Sequence, residues 1–334
     1  MAKMKRKIEE LTEDIEDIIQ TEFSYITTVN VPSVTDTSLT FGNGEEKKAK
    51  ELKTCVLFAD IRSSVALTKK HHTKTMGRLY SAFAKVCLKA AHHHGGYVRN
   101  IIGDRVMIVF PSANCFVNAV ECAITINHVC NKIIDKNFNG MDFKCGIGVD
   151  YGELKIIKVG TPKQGDEAAE NRGLVWTGYP ANIASRLTDV ANKTMEETYY
   201  EVKRNPINPL YGFGGLLGML RPSPFLGTGN LQNDEPYQNR VETVEMTPEE
   251  FANSLTNHEQ GKIGISLGKF ISFEKKSRKK NYPPILLSDT VYKGYKKESS
   301  TDNSLLNKYW EKEKYTVNDV NGDVFGGNII WDID

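Results

Sequence analysis

Thr54-Cys55-Val56-Leu57-Phe58-Ala59-Asp60-Ile61-Arg62-Ser63-Ser64 is an apolar run that ends on a carboxylate and passes into a helical pattern. Cys55 to Ala59 offers no polar residue to solvent on either side, so it reads as a strand buried on both faces. Ser63 to His94 is helical and stops at Gly95-Gly96. Tyr97 to Ile102 and Val106 to Phe110 are apolar, β-branched runs on either side of Gly103-Asp104-Arg105, the pattern of a hairpin with a tight turn. Ala113 to Ile134 is helical again, Phe143 to Val149 is a strand, and Gly152 opens another through Val159. The order is βαββαβ, which predicts an α+β, ferredoxin-like fold with an antiparallel-rich sheet and helices on one face. A further helix starts near Pro180.

The flanks are less regular. In residues 1–28, Ile8, Leu11, Ile15 and Ile18 fall at heptad a and d spacing among charges, which suits a helix packed on its own domain or paired with a copy of itself. Residues 29–53 lose periodicity and carry Pro32, Gly42 and Gly44, as a linker does. The main domain is expected over 54–334, interrupted at about 195–283 by an insertion in which prolines and glycines break every period. Its segment Asn205 to Pro236, with apolar Leu216, Leu217, Met219, Leu220 and Phe225, is expected as docked short elements or a lid. The basic run Lys275 to Lys280 could bind polyphosphate or nucleic acid but reads rather as a solvated loop.

Composition narrows the function. With 43 Lys+Arg against 42 Asp+Glu, the formal charge of +1 leaves no overall field for a polyanion, so nucleic acid is not an expected partner. No apolar run reaches the roughly 20 residues that span a bilayer, and the basic N-terminus runs into acidic residues where a signal peptide needs an apolar stretch. The six cysteines, Cys55, Cys87, Cys115, Cys122, Cys130 and Cys145, lie in apolar surroundings with no CxxC pair, which suits reduced core thiols. The expected location is cytoplasmic. His71-His72 and His92-His93-His94 are consecutive on a helix and point in different directions, so they suit a helix end better than a metal.

Asp60 follows a strand and Asp104 sits at a hairpin tip, so both carboxylates fall at one end of neighbouring strands. Each taken alone is explained by helix capping or turn formation. Together they are hard-oxygen donors suited to a pair of Mg²⁺ or Mn²⁺ ions, with waters and substrate phosphates completing each shell. Further along, Trp176-Thr177-Gly178-Tyr179-Pro180-Ala181-Asn182-Ile183-Ala184-Ser185-Arg186-Leu187 places Asn182 and Arg186 i, i+4 on one helical face, with Ile183, Leu187 and Val190 on another. An amide and a guanidinium presented together suit a ribose oxygen and a phosphate, or form a plain surface pair. Arg105, directly after Asp104, is left open between a contact to phosphate and a pair with a surface carboxylate, the latter favoured.

Three pieces in this order, Phe58-Ala59-Asp60-Ile61, Gly95-Gly96-Tyr97 leading to Gly103-Asp104, and Gly178 through Asn182 to Arg186-Leu187, resemble the catalytic domain of class III nucleotidyl cyclases. The resemblance covers residues 54–193 well and 284–334 weakly; 195–283 match nothing in it. It implies a cyclase homology domain with extra strands, working as a head-to-tail homodimer. It also implies that Asp60, Asp104 and the carbonyl of Ile61 hold two divalent ions. The ribose 3′-hydroxyl would then attack the α-phosphorus and expel pyrophosphate. Phe58, Ile61, Arg62, Ser63 and Ser64 are the residues expected at the substrate, the amides from Ile61 to Ser64 meeting the β- and γ-phosphates. Asn182 would orient the ribose and Arg186 stabilise the transferring phosphoryl group, both in the partner subunit's site.

The base-reading positions depart from the family. Asn100 stands where adenylate cyclases carry lysine and guanylate cyclases glutamate, and Val175 occupies the second position, next to Trp176. Neither purine code is present. The run Val175 to Asn182, the late Gly326-Gly327-Asn328-Ile329-Ile330-Trp331 and the layout resemble bacterial pyrimidine cyclases of antiviral signalling. That implies cyclic UMP, ahead of cyclic CMP, as a messenger read by a separate effector. A purine cyclase with an unusual base pocket and an inactive cyclase-like regulatory dimer are the competing readings. A related palm-type polymerase or diguanylate enzyme would lack the Asn182 and Arg186 pair.

Overall fold

The computed structural model describes residues 2–138, 140–160, 172–208, 235–257, 263–266, 268–314 and 316–333. The chain divides into two units, Met1–Lys193 with Asn281–Asp334, and Thr194–Lys280. The first opens with helix α1 (Ala2–Gln20) and strand β1 (Phe23–Thr28), followed by β2 (Lys47–Ile61). The strand expected at 55–59 is thus much longer, and residues 47–53, read as linker, lie in the sheet because β1 pairs with them in parallel.

Next come α2 (Ser64–Lys70), α3 (Thr73–His93), β3 (Tyr97–Ile102), β4 (Arg105–Val109), α4 (Cys115–Val129), a π-turn over Cys130–Ile134 and a last turn α5 (Asp135–Asn137). The single helix expected from Ser63 to His94 is broken at His71-His72, where the backbone is extended before α3 restarts. Strand β5 (Cys145–Gly160) is continuous where two strands are expected, since pairing with β2 runs unbroken from Ile61↔Cys145 to Lys50↔Ile156. Strand β6 (Arg172–Thr177) and α6 (Tyr179–Val190) follow.

Unit two holds β7 (Thr194–Pro206), β8 (Glu242–Met246), α7 (Pro248–Ser254), β9 (Leu255–Asn257), β10 (Ile263–Ile265) and β11 (Gly268–Asn281), which form a separate sheet in the order β8-β7-β11-β10-β9. Tyr200, Phe251 and Phe273 cluster between this sheet and α7. The basic run Lys275–Lys280 is in strand β11 rather than a loop. Alternation puts Lys276, Arg278 and Lys280 on one side, where they pair with Glu201, Glu197 and Glu245. Most of the Asn205–Pro236 segment, residues 209–234 with its apolar cluster, lies outside the described residues. The first unit resumes with β12 (Ile285–Ser288), α8 (Asp289–Glu298), α9 (Asn303–Leu306), β13 (Glu311–Lys312) and β14 (Val324–Gly327).

Among the described residues the main sheet has nine strands, with the path β13-β14-β12-β5-β2-β4-β3 and with β1 and β6 on the far ends of β2 and β5. Strand alternation explains the unbroken apolar run of β2. Cys55, Leu57, Ala59 and Ile61 enter a core with α3, α4 and α8, whereas Leu52, Val56 and Phe58 face a second cluster with Met107, Leu154, Ala181 and Ala184. The helices therefore do not share one face: α6 covers the other. Its backbone lies directly on β5, since a Cβ at Gly148 would stand 2.4 Å from the Ala184 carbonyl oxygen. Gly178, at φ 145°, starts α6 where a side chain would strike the Glu153 carbonyl at 2.5 Å. These two glycines set the height at which Asn182 and Arg186 are carried.

All six cysteines are buried and free, and no described helix is long and apolar enough to cross a membrane. Asp150 on β5 is 4% exposed, and its Oδ2 has no hydrogen-bond partner among the described residues. Burial pushes its carboxyl up from 3.8 to about 6, partly offset by Ser288. The raised value belongs to the folded state, so the fold binds more protons than the unfolded chain between those two values. Stability is expected to fall by up to about 3 kcal/mol as pH rises from about 4 to 6 and then to level off. Asp150→Asn should flatten that slope. Urea midpoints at pH 4.5 and 7 that fall equally in both proteins would refute this.

Candidate active site

The end of β2 and the start of β4 are held in register, with Asp60 opposite Arg105, so the turn that carries Asp104 sits beside Asp60. A cleft of about 430 Å³ opens there. Asp60, Ile61, Arg62, Ser63, Ser64 and Asp104, all expected from the sequence, line it. Ser63 takes a left-handed backbone, φ 56°, at the entrance to α2. Asp60 is a strand residue and does not cap the helix.

The two carboxylates sit in different surroundings. Burial first, then the charge of Asp60, pushes the Asp104 carboxyl above its ordinary range, with the Ser64 hydroxyl partly offsetting this. Asp60 is instead neutralised from both sides. The Arg62 guanidinium donates to its Oδ2 at 2.9 Å and to its carbonyl at 3.3 Å, and Arg105 donates to the same Oδ2 at 3.0 Å. Arg105 also donates to Ser185 Oγ at 2.8 Å and pairs with Asp189, both on α6. Burial works against its charge, but Asp189 and Asp60 more than offset that and hold it above its ordinary value. Arg105 thus pairs with the exposed carboxylate of Asp189, as favoured, and through Asp60, Asp189 and Ser185 it also ties the β2–β4 end of the sheet to α6.

Among the described residues no three His, Cys, Asp or Glu side chains cluster as a metal cage. Two adjacent carboxylates in an open cleft, one with its charge disfavoured by the other, still suit an oxygen-seeking divalent ion. Ions of the Mg²⁺ class keep waters and take substrate phosphate instead of an all-protein shell. The donor set fits such ions.

The other expected residues lie outside this cleft. Phe58 packs with Val56 in the α6-facing cluster, and its carbonyl accepts from Thr188 Oγ1 at 3.1 Å. Asn100 is exposed on β3 beside a bulge at Arg99, and Val175 is 44% exposed on β6. Trp176 packs on the same cluster as Phe58, with the Arg99 guanidinium 5.9 Å from its ring centroid. Asn182 and Arg186 are both exposed on α6, and Arg186 pairs with Asp319 at 2.6 Å. Within one chain, then, the metal-type carboxylates and the Asn–Arg pair are not brought together. Asp189, Ser185 and Lys193 were not foreseen. They approach the cleft only because α6 folds across the sheet, and no local pattern marks them.

Residues 46–196 match the family described as the adenylate and guanylate cyclase catalytic domain. Over those residues, a little under half of the chain, it is similar to a class III nucleotidyl cyclase catalytic domain. Class III cyclases use divalent metal ions, in agreement with the donor set of the cleft. The cyclase domain is similar to the uridylate cyclase of Burkholderia cepacia, 28% identical over 171 residues that cover 50% of this chain and 70% of that protein. It is likewise similar to the uridylate cyclase of Xanthomonas perforans, 28% identical over 188 residues, covering 54% of this chain and 76% of the relative. Among solved structures, the adenylyl cyclase CyaB from P. aeruginosa aligns over 42% of this chain and 73% of its own, at 21% identity and a TM-score of 0.37.

Proposed function

We propose that the protein is a pyrimidine nucleotide cyclase, converting UTP ahead of CTP to the 3′,5′-cyclic monophosphate and pyrophosphate. The observation that carries the reading is the meeting of Asp60 and Asp104 in one cleft of a class III cyclase domain. The uridylate cyclase names of relatives at 28% identity, and Asn100 and Val175 in place of the purine-reading side chains, support the choice of base.

In the proposed reaction the ribose 3′-oxygen gives its proton to solvent and bonds to the α-phosphorus, while the bond to the bridging β-phosphate oxygen breaks and pyrophosphate leaves with the electron pair. Asp60, Asp104 and the Ile61 carbonyl would hold two divalent ions, Mn²⁺ or Mg²⁺, which would supply acidification of that hydroxyl and neutralisation of phosphate charge. The chain's own residues do the rest. Arg62, Ser63 and Ser64 form the wall that faces the phosphates. Asn100, Val175 and Trp176 border the base, Asn182 orients the ribose, and Arg186 stabilises charge as it develops on the phosphoryl group.

Asn182 and Arg186 are exposed and outside their own chain's cleft, which supports a head-to-tail homodimer with two composite sites. Helix α1 supports self-association as well. It meets its own unit through polar Asp14 and Asp17, which bond Asn43, Gly44 and Lys47, while Met4, Ile8, Leu11, Ile15 and Ile18 stay 48–65% exposed at 4-3-4-3 spacing. That spacing is self-complementary in a two-stranded coil. The product would serve as a cytoplasmic second messenger in antiviral defence, read by a separate effector.

The test is incubation of the purified protein with Mn²⁺ and each of ATP, GTP, UTP and CTP, with products identified by mass spectrometry. Cyclic UMP as the main product is expected. A cyclic purine as main product would discard the base assignment, and no product from any nucleotide would discard the catalytic one.

A further inference from the structure

Lys193 follows α6 and lines the same cleft as Asp60 and Asp104. Its backbone is pinned on both sides: its N–H donates to the Val190 carbonyl at 3.1 Å, and its carbonyl accepts from Tyr282 at 2.9 Å. The preceding Asn192, in a left-handed conformation at φ 55°, is anchored by its side chain to the Cys145 carbonyl at 2.9 Å. The lysine is thus presented from a rigid point. Its side chain is exposed, and among the described residues its ammonium makes no ion pair or hydrogen bond.

The other cations of the cleft are differently placed. Arg62 is 4% exposed and bound to the carboxylate and carbonyl of Asp60 and to the Asp189 carbonyl. Arg105 is bound to Asp60, Asp189 and Ser185. Both guanidiniums are thus committed to carboxylates, so an anion entering the cleft meets Lys193 as the lining cation with its donors unused. An ammonium on a flexible stem is a point charge with three donors, and it suits a terminal phosphate group that lacks one fixed orientation.

We propose that Lys193 holds the β/γ end of the substrate's polyphosphate in the Asp60–Asp104 cleft. This residue assignment rests on the cyclase reading and adds a substrate contact made by the same chain that supplies the two carboxylates. It also makes Lys193 a contact for the leaving pyrophosphate.

The experiment titrates inorganic tripolyphosphate with Mn²⁺ into the wild-type chain, Lys193→Gln and Lys193→Arg by calorimetry, which needs no turnover. Binding is expected to weaken about tenfold or more in Lys193→Gln and to stay within about threefold in Lys193→Arg. With nucleotide, KM and the inhibition constant of pyrophosphate should rise together in Lys193→Gln while kcat changes far less. Wild-type-like binding by Lys193→Gln, or a wild-type chain that does not bind tripolyphosphate, overturns the proposal. A chain that binds tripolyphosphate through Lys193 yet cyclises no nucleotide would sink the cyclase reading and leave the polyphosphate site standing.

Discussion

Asp60→Asn and Asp104→Asn are each expected to cut cyclic nucleotide formation by about 10³-fold or more, while moving stability in opposite directions. The loss of activity follows from removing half of the carboxylate charge that the proposed metal ions would need. The stability contrast follows from the neighbours. Asp60 accepts from Arg62 and Arg105, and Arg62 is buried. An amide there leaves a buried guanidinium without its counter-charge, at a cost of about 1 to 3 kcal/mol, since its bonds to backbone carbonyls remain. Asp104 has no guanidinium partner among the described residues, and burial and the charge of Asp60 both disfavour its ionised form. Its amide variant should unfold at the wild-type urea midpoint or above it. Thermal or urea unfolding of the two variants, run beside the nucleotide assay, checks this. Equal destabilisation would show that the guanidinium network does not single out Asp60, and retained turnover in either variant would remove the two-carboxylate mechanism.

Arg186→Ala is expected to lower kcat by about 10²-fold or more without dissociating the proposed dimer, because its proposed role is with charge that develops during the reaction. Its pair with Asp319 is half-exposed on one side and more exposed on the other, so losing it should cost less than about 1 kcal/mol. The sharper result comes from mixing. Asp60→Asn and Arg186→Ala chains, each inactive alone, should on re-equilibration recover about one quarter of the wild-type rate. Half of the dimers formed are mixed, and in each mixed dimer one of the two composite sites takes its carboxylates and its arginine from unmutated positions. Recovery in parallel with a dimer in sedimentation would establish shared sites. No recovery from chains that do exchange would place Arg186 in its own chain's cleft or outside the mechanism.

How much of this was legible in advance differs by element. The strand at 55–59, the hairpin around Gly103-Asp104 and the helix opening at Pro180 are local patterns, and each is found where its periodicity and turn chemistry put it. The break of the 63–94 helix was not legible, since His71 and His72 both fit a helical period, yet both take extended backbone between α2 and α3. The continuity of β5 was missed for a similar reason: Asp150-Tyr151-Gly152 looks like an interruption, and only unbroken pairing with β2 carries the strand through it. The basic run at 275–280 reads as solvated until β7 supplies Glu197 and Glu201 opposite it.

By itself the sequence determined the βαββαβ order, the two aspartates at strand ends and the Asn182–Arg186 spacing, because each depends on residues close together in the chain. Tertiary structure alone decided that α6 crosses the opposite face of the sheet, resting on Gly148, and so brings Ser185, Asp189 and Lys193 to the end of β2. It also decided that Asp60 is held by two guanidiniums while Asp104 is not. Apart from Arg62 with Asp60, two positions apart, those pairings join residues 45 to 127 positions apart, and charges that far apart in the chain acquire neighbours only when packing removes the water between them.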